Sequence, residues 1–216
     1  MTTMAMFPLG SVLFPHMPIA LRVFEERYLA MLAAVLQDEP GEFGVVLIER
    51  GSEVGGGDRR FDIGTVARIE ELGTTDDVVA VIGEGTTRIA IERWVDDGPY
   101  PQAEVRELPD LEWKDEYLPL FTQAEAIVRR TIARTAEFVE HPWSPDIVVD
   151  EDPVVASWQL AGIAPLGDID QLALLRATSL PQLLTRLIDL TVEVGDTLTA
   201  RWNDEQPGDG GWGTGA

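Results

Sequence analysis

The sequence contains no cysteine, a single lysine and only two histidines, His16 and His141. Without cysteine there is no disulfide framework, thiol nucleophile or thiolate metal site, which fits a reducing compartment. The lone lysine, Lys114, sits in Trp113-Lys114-Asp115 and belongs to no GxxxxGK[ST] loop, so a P-loop nucleotide site is excluded. Flanked by Glu112 and Asp115, it reads as a surface charge and not as a catalytic base. A histidine triad or histidine metal site would have to use His16 or His141, and His16, lying between two prolines, reads as a partly exposed turn residue. Basic charge is scarce as well: Lys+Arg is 16 against Asp+Glu 38, a formal net charge of −22. Phosphate backbones are bound chiefly through Lys and Arg, so neither nucleic acid nor an anionic membrane surface is an expected partner. No apolar run approaches the ~20 residues that span a bilayer. The start Met1-Thr-Thr-Met lacks the basic and apolar regions of a secretory signal. A soluble, cytoplasmic protein is expected.

What the chain does have is a 45% hydrophobic composition, enough for a substantial core in one domain or two small ones. The organising stretch is Phe7 to Tyr28, FPLGSVLFPHMPIALRVFEERY. An apolar segment ends at Gly10-Ser11, a proline-bracketed turn Phe14-Pro15-His16-Met17-Pro18 follows, and Ile19, Leu21 and Val23 alternate as a strand. Glu25 and Glu26 then suit the positive end of a helix dipole, with Tyr28, Leu29, Leu32, Val35 and Leu36 at helical spacing.

Pro40-Gly41 stops that helix, and Phe43 to Glu49 reads as a buried strand. Gly51 to Arg60, with Gly55-Gly56-Gly57, reads as a flexible connection because no Lys-Ser/Thr or helix follows it. Asp62–Leu72 and Val78–Ile82 form an expected hairpin turning at Thr75-Asp76-Asp77. A further turn is expected at Gly83 to Gly85. Arg88 to Trp94 then alternates, with Ile89 and Ile91 on one face and Arg88, Ala90 and Glu92 on the other. Gln102 to Leu108 closes the set. Short strands at close spacing with one helix favour a small closed or half-closed β-barrel.

Composition turns polar and acidic at Pro109 to Glu116, placing a boundary near residue 110. Beyond it the pattern is helical. Leu120, Phe121, Ala124, Val128, Ile132 and Val139 mark one helix, and Asp152-Pro153 is an N-cap with proline at the first position. Gly167-Asp168 opens another helix, and Ser179-Leu-Pro-Gln182 has capping-box spacing. Leu180, Leu184, Leu187, Thr191, Val194, Leu198 and Trp202 form the longest apolar stripe. The expected fold class is α+β: a small β-barrel with one helix over 1–110, a helical bundle over 111–204 and a disordered tail over 205–216.

The run PLGSVLFPHMPIALRVFEERYLAML resembles the start of the LON substrate-binding family, the N-terminal domain of Lon protease. Phe43-Gly-Val-Val-Leu-Ile, Asp62-Ile-Gly-Thr-Val-Ala-Arg-Ile, Gly83-Glu-Gly-Thr-Thr-Arg-Ile-Ala-Ile and Pro99-Tyr-Pro-Gln-Ala-Glu-Val follow in the family's order. Ordered agreement over about half the chain is far more specific than one short motif. The resemblance implies a PUA-like barrel and a domain that handles protein substrates without the ATPase and Ser-Lys engine of a complete Lon.

Few residues compete for a functional role. The acidic run Asp146, Asp150, Glu151, Asp152 lacks calcium-loop spacing and reads as a solvated loop. No metal, cofactor or catalytic group is expected. Glu25 and Arg88 are expected to pair where the first helix lies on the barrel, pinning one to the other. Recognition of a peptide by Arg27 or Arg88 is the sharper alternative. Concave sites favour domain junctions, and Phe14, Pro15, Met17, Phe24, Tyr28 and Trp113 are the candidate apolar wall. The expected function is non-catalytic binding of exposed apolar polypeptide segments or of a partner protein, and a weak homo-oligomer is compatible with it. The rivals are a hydrolase using acidic residues, which needs two converging carboxylates, and a PUA-like nucleic-acid binder, which needs a basic stripe.

Overall fold

The computed structural model describes residues 2–37, 39–48, 60–75, 78–95, 98–136 and 141–205. The triple-glycine connection, the turn at Asp76-Asp77 and the tail from residue 206 onward lie outside the described residues. Six strands form one sheet: β1 (Thr2–Leu9), β2 (Pro18–Val23), β3 (Glu42–Ile48), β4 (Arg60–Thr75), β5 (Val78–Val95) and β6 (Gln102–Glu107). Their order is β2-β5-β4-β3-β1-β6, and an added β5–β6 pairing closes β5, β4, β3, β1 and β6 into a ring. β1 and β3 run parallel, and the other pairs are antiparallel.

Closure depends on β5 changing partners along its length. Its first part pairs with β2, Ile19 opposite Gly83 and Val23 opposite Val79, and its last part pairs with β6, Ile91 opposite Val105. The turn expected at Gly83–Gly85 is therefore absent, and the strand runs straight through. These glycines serve close approach instead. A Cβ on Gly83 would lie 2.2 Å from the Arg68 carbonyl oxygen, and one on Gly64 2.1 Å from that of Val45. Only a residue without a side chain lets the neighbouring backbone come so near.

The period of two sorts side chains between two cores. Met6, Val46, Val66, Ile89, Ala103 and Val105 form a small cluster among themselves. Their strand neighbours Phe7, Val45, Leu47 and Ile63 join a larger cluster with the helices. Helix α1 (Glu26–Val35) contributes Tyr28, Met31 and Leu32 to it.

The strands end at Glu107, and a 3₁₀ turn at Asp115–Tyr117 leads into α2 (Leu118–Thr135), α3 (Pro153–Ile163), α4 (Asp168–Leu175) and α5 (Leu180–Glu205). The helical cues match these starts. Asp152 accepts from the N–H groups of Val154 and Val155 with Pro153 in the first turn. Ser179 Oγ accepts from the Gln182 N–H at 3.4 Å, while Gln182 Oε1 accepts from the Thr178 N–H at 2.8 Å. Leu180, Leu184, Leu187 and Thr191 are buried along α5 as their spacing predicts. The larger cluster is continuous from Phe14 and Met17 to Trp158, Leu160 and Leu183, so strands and helices share one core.

Candidate functional site

The proline-bracketed turn lies where the sheet meets the helices. Thr65 Oγ donates to the Leu13 carbonyl at 2.6 Å, the His16 N–H donates to the Gly85 carbonyl at 2.7 Å, and the Gly85 N–H donates to the Met17 carbonyl at 2.9 Å. Gly85 must be glycine here, since a Cβ would stand 2.2 Å from the Phe14 carbonyl oxygen. His16 takes φ 61°, a left-handed conformation costly for a residue with a side chain and sustained only by surroundings that fix it. From this anchored turn Phe14 packs on Trp158 of α3, ring centroids 6.0 Å apart, and Met17 packs where a Gly162 Cβ would be, 2.7 Å from its Cε.

Two recesses open on either side of His16, which lines both. The smaller, about 90 Å³, is apolar and walled by Met17, Pro18, Trp143, Ile147, Val149 and Ile163, with Val148 on its rim. Val148 is 90% exposed. The larger, about 470 Å³, runs between β5 and the start of α3 past Pro15, Glu84, Arg88, Asp110, Val155 and Trp158. Asp152 also lines it, but its carboxylate is committed to capping α3. The acidic loop that precedes α3 is spent in the same local way: the Asp152 N–H donates to Asp150 Oδ1 at 2.8 Å, and the Asp150 N–H donates to Gln159 Oε1 at 2.7 Å. Among the described residues no group of three or more histidine or carboxylate side chains gathers as metal ligands. No described helix is long and apolar enough to cross a membrane.

Arg88 is only 5% exposed and lies on the face opposite Ile89, as the alternation predicts. The expected Glu25 pairing does not occur. Arg88 Nη1 donates to the carbonyls of Leu175 at 3.0 Å and Ala177 at 2.6 Å, and Nη2 to that of Pro109 at 2.8 Å. Its guanidinium also lies 4.9 Å from the Trp158 ring centroid. That wall is covered by the junction of α4 with α5, and α1 lies elsewhere. Burial pushes the Arg88 pKa below its ordinary value while Asp110 opposes the shift, and an arginine so held stays charged at neutral pH. Glu25 instead accepts from Arg27 Nε at 3.2 Å in the open.

The expected apolar wall separates into several places. Phe14 is buried and supports the turn, and Pro15, buried as well, reaches only the wall of the larger recess. Tyr28 is buried as well, stacked on Phe7 with centroids 4.1 Å apart, and Arg27 covers its ring at 4.8 Å. Phe24 is 66% exposed at the end of β2. Trp113 forms an aromatic group with Tyr117 and Phe121, edge to face at 6.2 and 6.1 Å. Of the anticipated residues, Met17 lines the apolar recess, and Pro15 and Arg88 line the larger one. Sequence reasoning missed Trp143, Ile147, Val148, Val149, Trp158 and Ile163. The unbroken apolar run Ile147-Val148-Val149 within an acidic loop was the one available signal.

The model of the ATP-dependent protease La (LON) substrate-binding domain matches residues 3–193, both the strands and the helices. Among solved structures, a Lon N-terminal domain protein from Xanthomonas campestris is 27% identical, with a TM-score of 0.61, covering 89% of this chain and 98% of that one. The N-terminal domain of Mycobacterium avium complex Lon protease is 19% identical with a TM-score of 0.65, covering 89% and 99%, a likeness of fold. No curated protein matches the chain.

Proposed function

The chain belongs to the LON substrate-binding domain family, and on that premise we propose that it is a non-catalytic module that captures exposed apolar polypeptide segments at the His16 turn. The observation that carries this reading is the pair of recesses meeting at His16. The apolar recess has room for one aliphatic or aromatic side chain, while the larger one is lined by Arg68, the carboxylates of Glu84 and Asp110 and the Trp158 ring, which face the neighbouring polar chain. An apolar pocket with a few placed polar groups at a junction of layers is the general form of a ligand site. It captures unfolded chains because only they expose an apolar side chain on a free stretch of backbone.

A labelled peptide carrying phenylalanine and leucine in a polar background tests the site by fluorescence anisotropy. Val148→Glu places a carboxylate on the rim of the apolar recess without disturbing a buried group. Losing one such contact is worth about 1.5 kcal/mol, so affinity falls about tenfold with no change in melting temperature. Equal binding by the variant and the parent would remove the recess from the reading.

A further inference from the structure

β1 changes neighbours halfway along its length. Thr2–Ala5 pair with β6, and Met6–Leu9 pair with β3, beginning with Met6 opposite Gly44. Before Met6 the two parallel strands part, and a groove of about 410 Å³ opens between them, lined by Thr3, Met4, Ala5, Pro40, Glu42 and Tyr100 among others. Pro40, lacking an N–H, cannot extend the β3 ladder back to close it.

The ladders fix where the main chain points. Groups that bond a neighbour alternate along a strand with groups that face the other way. The Met6 N–H donates to the Pro101 carbonyl at 2.9 Å, so Met4 and Met6 address β6 and the amides of Thr3 and Ala5 face the groove. On β3 the Gly41 carbonyl accepts from the Ile69 N–H at 2.9 Å. Gly41 and Phe43 therefore address β4, and the Glu42 main chain faces the groove from the opposite side. Among the described residues, the main chain of Thr3 and Ala5 thus faces that of Glu42 with no strand between them.

We propose that this seam admits an extended, cationic polypeptide segment, which inserts between β1 and β3 and is held by main-chain hydrogen bonds to Thr3, Ala5 and Glu42. Backbone edges select an extended chain whatever its side chains. Charge selects its sign: among the described residues no basic side chain lines the groove, the Glu42 carboxylate that does line it is shared with Arg68 Nε at 3.0 Å, and the molecule as a whole carries a net charge of −22. Mutual repulsion disfavours a second copy of this chain in the seam. The site is independent of the His16 recesses, with which it shares no lining residue.

The test uses the full chain and a capped peptide alternating valine with lysine and threonine. Binding is read by anisotropy and by amide hydrogen exchange. The parent peptide should slow exchange at Thr3, Ala5 and Glu42 at least tenfold. The same peptide N-methylated at alternate residues should bind at least tenfold more weakly, and an acidic counterpart should do likewise. Ala5→Pro, which removes an N–H facing the groove and no ladder bond, should reproduce the loss, while Val148→Glu leaves binding unchanged. Undiminished binding of the N-methylated or acidic peptide, protection only near residues 143–163, or loss with Val148→Glu would overturn the proposal. Because N-methylation alters only the ligand, the result stands even if Ala5→Pro folds poorly.

Discussion

A guanidinium that donates to three main-chain carbonyls cannot be shortened without leaving acceptors dry inside the joint. Each buried orphan costs about 1–3 kcal/mol, so Arg88→Ala should destabilise the protein by about 3–5 kcal/mol in denaturant titrations. Arg88→Lys should lose somewhat less, because an ammonium cannot span carbonyls that a planar fork reaches together. Glu25→Gln, in an exposed pair with Arg27, should shift stability by no more than about 0.5 kcal/mol. Comparable losses at Glu25 and Arg88, non-additive in the double variant, would instead reinstate the pairing the sequence suggested. The face of Arg88 was legible because strand alternation reports it directly. Its partners were not, since main-chain carbonyls belong to any residue and leave no trace in composition.

At the scale of elements, helices were read more accurately than strand limits. Helix starts carry local chemistry, as at Asp152-Pro153 and Ser179-Leu-Pro-Gln182. Glycines are ambiguous, serving a turn or a close approach equally well, and Gly83–Gly85 proved to be the second. The distinction is testable. Gly83→Ala sets a Cβ 2.2 Å from the Arg68 carbonyl oxygen, whereas Gly98→Ala meets nothing within 4 Å. The first should lower stability by about 1–3 kcal/mol, the usual range for overpacking, and the second should leave the denaturation midpoint nearly unchanged. The apolar recess was missed for a related reason. Its walls come from the turn, the 143–149 segment and α3, three stretches whose adjacency exists only in the folded chain.

For the whole molecule, the compositional break near residue 110 marks where strands give way to helices, yet the core does not divide there. Phe14 on Trp158, Met17 on Gly162 and Arg88 on the α4–α5 junction tie the two parts together. Circular dichroism and tryptophan fluorescence should therefore report one coincident thermal transition. A fragment of residues 1–110 should melt well below the full chain or fail to fold. Two separated transitions would instead make the sheet and the helices independent units.

The Arg88 contacts have a consequence for sequence change. A lock that reads the main chain places no demand on side-chain identity at Pro109, Leu175 or Ala177. Those positions can drift or be redesigned for packing alone, and the helices keep their seat on the sheet. One arginine can thus preserve an arrangement while the residues around it are replaced.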